Sequence, residues 1–187
     1  MREILKLGGK LLLIATFAGL ALGVTNAVTA GPIVEQQIAA ANAARKAVLP
    51  EAVDFEQADC SDETIDSIYI AKDAGGNCVG YTGTKTVTGY GGPIEVTVGV
   101  AKDGKITGVN VGGSDFSETA GLGAKTKDAK FTDGFKGLDS SAESSLYVKQ
   151  DGGEVDAVTS ATISSRAVTG GVRAICTYLQ SCMTEGK

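Results

Sequence analysis

The side chains best suited to chemistry lie in one stretch, Asp156-Ala157-Val158-Thr159-Ser160-Ala161-Thr162-Ile163-Ser164-Ser165-Arg166. It reads as a short strand or loop entering a helix, with Ser164 or Ser165 placed to cap it. Free backbone N–H groups and the dipole at a helix start favour an anion such as phosphate. Thr159, Ser160 and Thr162 add hydroxyls, and Arg166 offers a counter-charge. A plain Ser/Thr-rich cap is the alternative that these residues alone leave open. A second stretch, Ser117-Glu118-Thr119-Ala120-Gly121-Leu122-Gly123, holds glycines that let backbone approach a ligand closely, or simply turn a surface loop.

What is missing narrows the chemistry. The chain has no histidine, which excludes a Ser-His-Asp triad, a Cys-His dyad and the two-histidine zinc helix. Cys60, Cys78, Cys176 and Cys182 form no CxxC pair, against a zinc ribbon or iron–sulfur cluster. Cys176 and Cys182 would be about 9 Å apart along an unbroken helix, beyond disulfide reach, so they pair only if the helix breaks. Formal net charge is −5 with no basic cluster beyond the N-terminus, which argues against nucleic acid. Difficult chemistry here calls for a cofactor.

The elements that must position these residues follow from periodicity. Ile33 to Leu49 reads as an alanine-rich helix stopped by Pro50. Thr64–Ala71 and Cys78–Tyr81 read as strands around a turn at residues 73–77, with 84–88 continuing the sheet. Ile94, Val96, Val98 and Val100 alternate on one strand face, and Lys102-Asp103-Gly104-Lys105 turns the chain into a partner strand over 106–111. Residues 114–149 read as loops and short helices with Phe116, Phe131, Phe135 and Tyr147 as anchors. After Ser164, Val168, Val172, Ile175 and Leu179 recur at helical spacing.

The N-terminal 34 residues stand apart. Leu11 to Val34 carries no charge, and 24 residues of helix span about 36 Å, enough for a hydrocarbon core of about 30 Å. Arg2, Lys6 and Lys10 precede it, which places the N-terminus in the cytoplasm and the remainder outside. A cleaved signal peptide, with Val28 and Ala30 as small residues near the cleavage point, is the competing reading.

Three stretches resemble the FMN-binding domain family, which holds flavin mononucleotide (FMN). Asp156, Thr159, Ser160, Ala161 and Thr162 fit its D-x-x-[ST]-[SG]-A-T attachment pattern. Residues 117–123 resemble its E-T-P-G-L-G loop, with Ala120 where proline is usual. Gly89-Tyr90-Gly91-Gly92-Pro93-Ile94, leading into the hairpin, resembles the strand pair preceding that loop. Their order, the single N-terminal anchor and the chain length are similar to the G subunits of Rnf-type electron-transport complexes. The C subunits of sodium-pumping NADH:quinone reductases are close relatives.

The resemblance implies an α+β fold: one FMN-binding domain with antiparallel hairpins and a C-terminal helix, preceded by one transmembrane helix. The expected divisions are a cytoplasmic N-terminus (1–10), a transmembrane anchor (11–34), a connecting helix (35–50) and an extracytoplasmic FMN-binding domain (51–187). It implies that a flavin transferase moves FMN from FAD onto Thr162 as a phosphoester, with Asp156, Glu118, Thr119, Thr159, Ser160, Ala161, Gly121, Leu122 and Gly123 around the cofactor. No metal is expected. The implied role is a redox subunit relaying electrons among the other membrane and peripheral subunits of a ferredoxin:NAD oxidoreductase that moves sodium or protons. The C-type quinone-reductase protein and an exported non-redox binding protein remain the alternatives.

Overall fold

The computed structural model describes residues 1–58 and 64–185, side chains being described to 183. Helix α1 runs Arg2–Val48. Residues Met1–Ala40 form one unit, and Ala41–Lys187 form a second. In the first unit every residue is exposed, and α1 is long and apolar enough to cross a membrane. Thr25 and Thr29 donate their hydroxyls to the carbonyls of Ala21 and Thr25, both at 2.9 Å. That satisfies two polar groups inside an apolar span without any neighbour. The helix expected from Ile33 is thus the continuation of the apolar one, with Pro32 inside it.

The second unit is built on one antiparallel sheet in the order β1-β2-β3-β4-β5. The strands are β1 Asp54–Gln57, β2 Ser67–Lys72, β3 Cys78–Thr88, β4 Pro93–Ala101 and β5 Ile106–Gly112. Two strand readings change. Residues 78–81 and 84–88 are one eleven-residue strand. The break suggested at Gly83 is a packing device: a Cβ there would lie 2.5 Å from Ile175 Cγ2, so glycine lets the C-terminal helix settle onto the sheet. Strand β1 was not anticipated, because four residues with three polar side chains carry no usable alternation.

The C-terminal helix α3, Thr162–Glu185, covers one sheet face. Val168, Val172, Ile175 and Leu179 are fully buried, as are Ile94, Val96, Val98 and Val100 of β4. Burial of each such side chain contributes about 1.5–3 kcal/mol. The opposite face receives the last turn of α1: Val48 and Leu49 are buried, and Thr107 donates its hydroxyl to the Val48 carbonyl. Between β5 and α3 the chain makes short helical turns, including Gly123–Lys127 and α2 Ala129–Thr132. Phe131 and Phe135 meet edge to face at 5.6 Å between centroids and close the core there.

Helix α3 runs unbroken past Cys176 and Cys182, both buried, so the condition for joining them is not met. Cys60 lies outside the described residues.

Candidate functional site

Helix α3 begins at Thr162, ahead of both serines expected to cap it, and this changes the cap. Ala161 occupies the position before the first helical residue and has no side-chain acceptor. Ser164 and Ser165 sit inside the first turn, and neither caps it. Ser165 accepts a bond from the Val158 N–H (3.0 Å) and donates to the Ala161 carbonyl (3.0 Å). Ser164 donates to Glu118 Oε2 at 2.8 Å. The Ser165 N–H closes the first helical bond, to Ala161. Among the described residues, the N–H groups of Thr162, Ile163 and Ser164 meet no protein acceptor. Three orphan donors at the positive end of a 24-residue helix are a ready anion site.

Two tight turns deliver the chain to this point. Val158–Ala161 is closed by the Ala161 N–H on the Val158 carbonyl at 3.0 Å. Its third residue, Ser160, has φ 63° and is the one non-glycine residue at positive φ among the described residues. Thr119–Leu122 closes at 3.1 Å, with Gly121 in the equivalent place at φ 78°. Both follow the type II pattern, which favours glycine third and proline second. The second place of the latter turn is Ala120.

A cleft of about 410 Å³ opens beside the helix start, lined by Tyr90, Glu118, Thr119, Leu122, Gly123 and residues 160–164. Of the residues expected around a cofactor, it brings together Glu118, Thr119, Leu122, Gly123, Ser160, Ala161 and Thr162. Gly121, Thr159 and Asp156 lie outside its lining. Asp156 is exposed and pairs with Lys149 at 2.8 Å. Arg166 is not the anion's counter-charge: it grips Asp151 with two bonds of 2.7 and 2.6 Å. That guanidinium holds the Asp151 carboxyl below its ordinary range, and Arg166 itself is raised. The lining therefore carries one carboxylate and no Lys or Arg.

Tyr90, Ile163 and Ser164 complete the lining and were not singled out as contacts from sequence. Tyr90 (73% exposed), Ile163 (56%) and Leu122 (41%) are three of the few large apolar side chains left uncovered in the second unit. They provide apolar surface beside the open helix end. Thr162 is half-buried at that end, and its hydroxyl meets no hydrogen-bond partner among the described residues. Together these features suit a phosphorylated, aromatic ligand.

The model of the FMN-binding domain family matches residues 89–177, which span every lining residue. The fold resembles the crystal structure of the C subunit of the Na(+)-translocating NADH-quinone reductase from Parabacteroides distasonis, with TM-score 0.50 and 22% identity over 63% of this chain and 62% of that one. The G subunit of the Na(+)-translocating ferredoxin:NAD(+) oxidoreductase complex of Acetobacterium woodii is 39% identical, with 91% of this chain and 89% of the relative covered. The G subunit of the ion-translocating oxidoreductase complex of Methanosarcina acetivorans is 33% identical over 96% of both chains. By this full-length similarity, the chain belongs to the family of G subunits of ion-translocating oxidoreductase complexes.

Proposed function

We propose that this chain is a membrane-anchored electron-transfer subunit whose FMN is esterified through its phosphate to Thr162. The reading is carried by the uncapped start of α3. Three free N–H groups face the place of a phosphate, and the hydroxyl of the first helical residue stands beside them. The residues fit FMN on both counts: donors for the phosphate, and Tyr90, Leu122 and Ile163 as apolar cover for the ring.

The charge balance favours a covalent link. With no cation in the lining and Glu118 nearby, a free phosphate dianion is held by backbone donors alone. Esterification removes one negative charge and makes loss of the cofactor impossible by dissociation. In the attachment reaction Thr162 Oγ attacks the flavin-side phosphorus of FAD. The bond to the adenosine phosphate breaks and AMP departs with the electron pair. The threonine proton passes to a base of the transferase.

Once bound, the flavin accepts and releases electrons; the chain supplies its position. Glu118, Ser164 and the turns at 119–122 and 158–161 fix the helix start. Tyr90, Leu122 and Ile163 would shield the ring. The partners are other subunits of an ion-translocating ferredoxin:NAD oxidoreductase, with sodium or protons as the coupled ion and a flavin transferase for maturation. Residues 11–34 act as the transmembrane anchor, with the domain outside the cytoplasm.

The test is co-expression with a flavin transferase. The wild-type chain gives a flavin-fluorescent band on a denaturing gel, and Thr162→Ala gives none. A fluorescent Thr162→Ala band would move attachment to another hydroxyl, with Thr119 and Thr159 next to be tested.

A further inference from the structure

Three separate segments wall the cleft: the β3–β4 loop with Tyr90, the 117–123 loop, and the first turn of α3. One side chain of the second reaches both of the others. Glu118 Oε1 accepts the Gly91 N–H at 3.0 Å, and Oε2 accepts the Ser164 hydroxyl at 2.8 Å. Partners 27 and 46 residues away in sequence thus meet on one carboxylate. The surroundings are shaped to it. A Cβ on Gly89 would fall 2.2 Å from Oε1, and one on Gly123 would fall 2.0 Å from Oε2. Both hydrogen bonds are accepted by an ionised group, which makes them stronger than neutral ones. Facing a site that receives phosphate, a carboxylate is unfavourable electrostatically, so its presence calls for a positional reason.

Resting on the reading of Thr162 as the attachment point, we propose that Glu118 is the positioning residue of that site. Its carboxylate sets the distance between the wall that carries Tyr90 and the helix start that carries Thr162. It also turns the Ser164 hydroxyl inward. It makes no bond to the flavin.

The experiment uses the full chain, FAD and a flavin transferase. It reads the rate of FMN incorporation by intact mass and the ring's mobility by flavin fluorescence anisotropy. Glu118→Ala is expected to slow incorporation about tenfold or more, since misplacement by an ångström costs that much or more. Its bound ring should show lower anisotropy than wild type. Glu118→Gln keeps the brace, its amide oxygen accepting from Gly91 and its amide N–H donating to Ser164. It should load within about threefold of wild type. Ser164→Ala removes one arm and should give an intermediate rate, and Glu118→Ala/Ser164→Ala should be no slower than Glu118→Ala alone.

Wild-type rate and anisotropy in Glu118→Ala, with Thr162→Ala dark, would overturn the positioning role and leave the attachment reading intact. Equal impairment of Glu118→Ala and Glu118→Gln would overturn it too, because charge rather than placement would then matter. A Thr162→Ala chain that still loads FMN would overturn the attachment reading instead. If Glu118→Ala does not fold, Ser164→Ala decides: wild-type behaviour there contradicts the proposal.

Discussion

Ser160 is the one non-glycine residue at positive φ among the described residues, at 63°. An L-residue with a Cβ is strained in that region by about 1–2 kcal/mol, and glycine is not. The family pattern accepts serine or glycine at this place, and the turn geometry explains why. Ser160→Gly should leave FMN loading unchanged and stabilise the unloaded chain by up to about 1 kcal/mol, glycine's greater entropy loss on folding offsetting part of the relief. Ser160→Val, β-branched at positive φ, should destabilise it by roughly 1–3 kcal/mol. Urea unfolding of the two variants checks both. The charged residues of the same motif teach a different lesson. Arg166 looks like a phosphate partner by spacing, but Asp151 takes it. Sequence shows which charges are near in the chain, not which partner in the fold reaches them first.

At the scale of the element, α3 combines two demands. Its buried face must seat on β3 and β4, and its first turn must stay open. Alanine at 161 keeps it open. A serine there would supply the cap that the helix lacks. Ala161→Ser should raise the stability of the unloaded domain by about 0.5–2 kcal/mol and slow FMN incorporation, because the new hydroxyl competes for the phosphate donors. Thermal melts and intact mass measure the two effects; faster or unchanged loading would argue against those donors as the phosphate seat. The strands show where periodicity suffices. β4 and β5 were legible because Ile94, Val96, Val98 and Val100 alternate cleanly into a charged hairpin turn ending in Gly104 at φ 80°. β1 was not, being a short polar edge, and β3 was cut at a glycine whose reason lies in Ile175. The hydroxyl motif was legible by resemblance, whereas Tyr90 and the double grip of Glu118 depend on contacts across the folded chain that no local window contains.

Across the whole molecule, one buried thiol reports on the integrity of the core. Cys176 is fully buried in α3, and burial pushes its thiol from 9.0 up to about 12. A raised folded-state value means that its contribution is complete below about pH 9 and is lost as pH rises toward 12. Unfolding by urea should therefore show falling stability between about pH 9 and about pH 11, with a shallower fall in Cys176→Ala. An equal slope in the two chains would place the alkaline loss elsewhere. The core that buries Cys176 also anchors the rigid end of the cleft, since the same helix begins at Thr162.

The central claim concerns one covalent bond at that helix start. Trypsin cleaves after Lys149 and Arg166, which releases residues 150–166. Mass spectrometry of this peptide from the native host should find it heavier by one FMN less one water, with fragment ions assigning the addition to Thr162. An unmodified peptide at full occupancy would contradict the account.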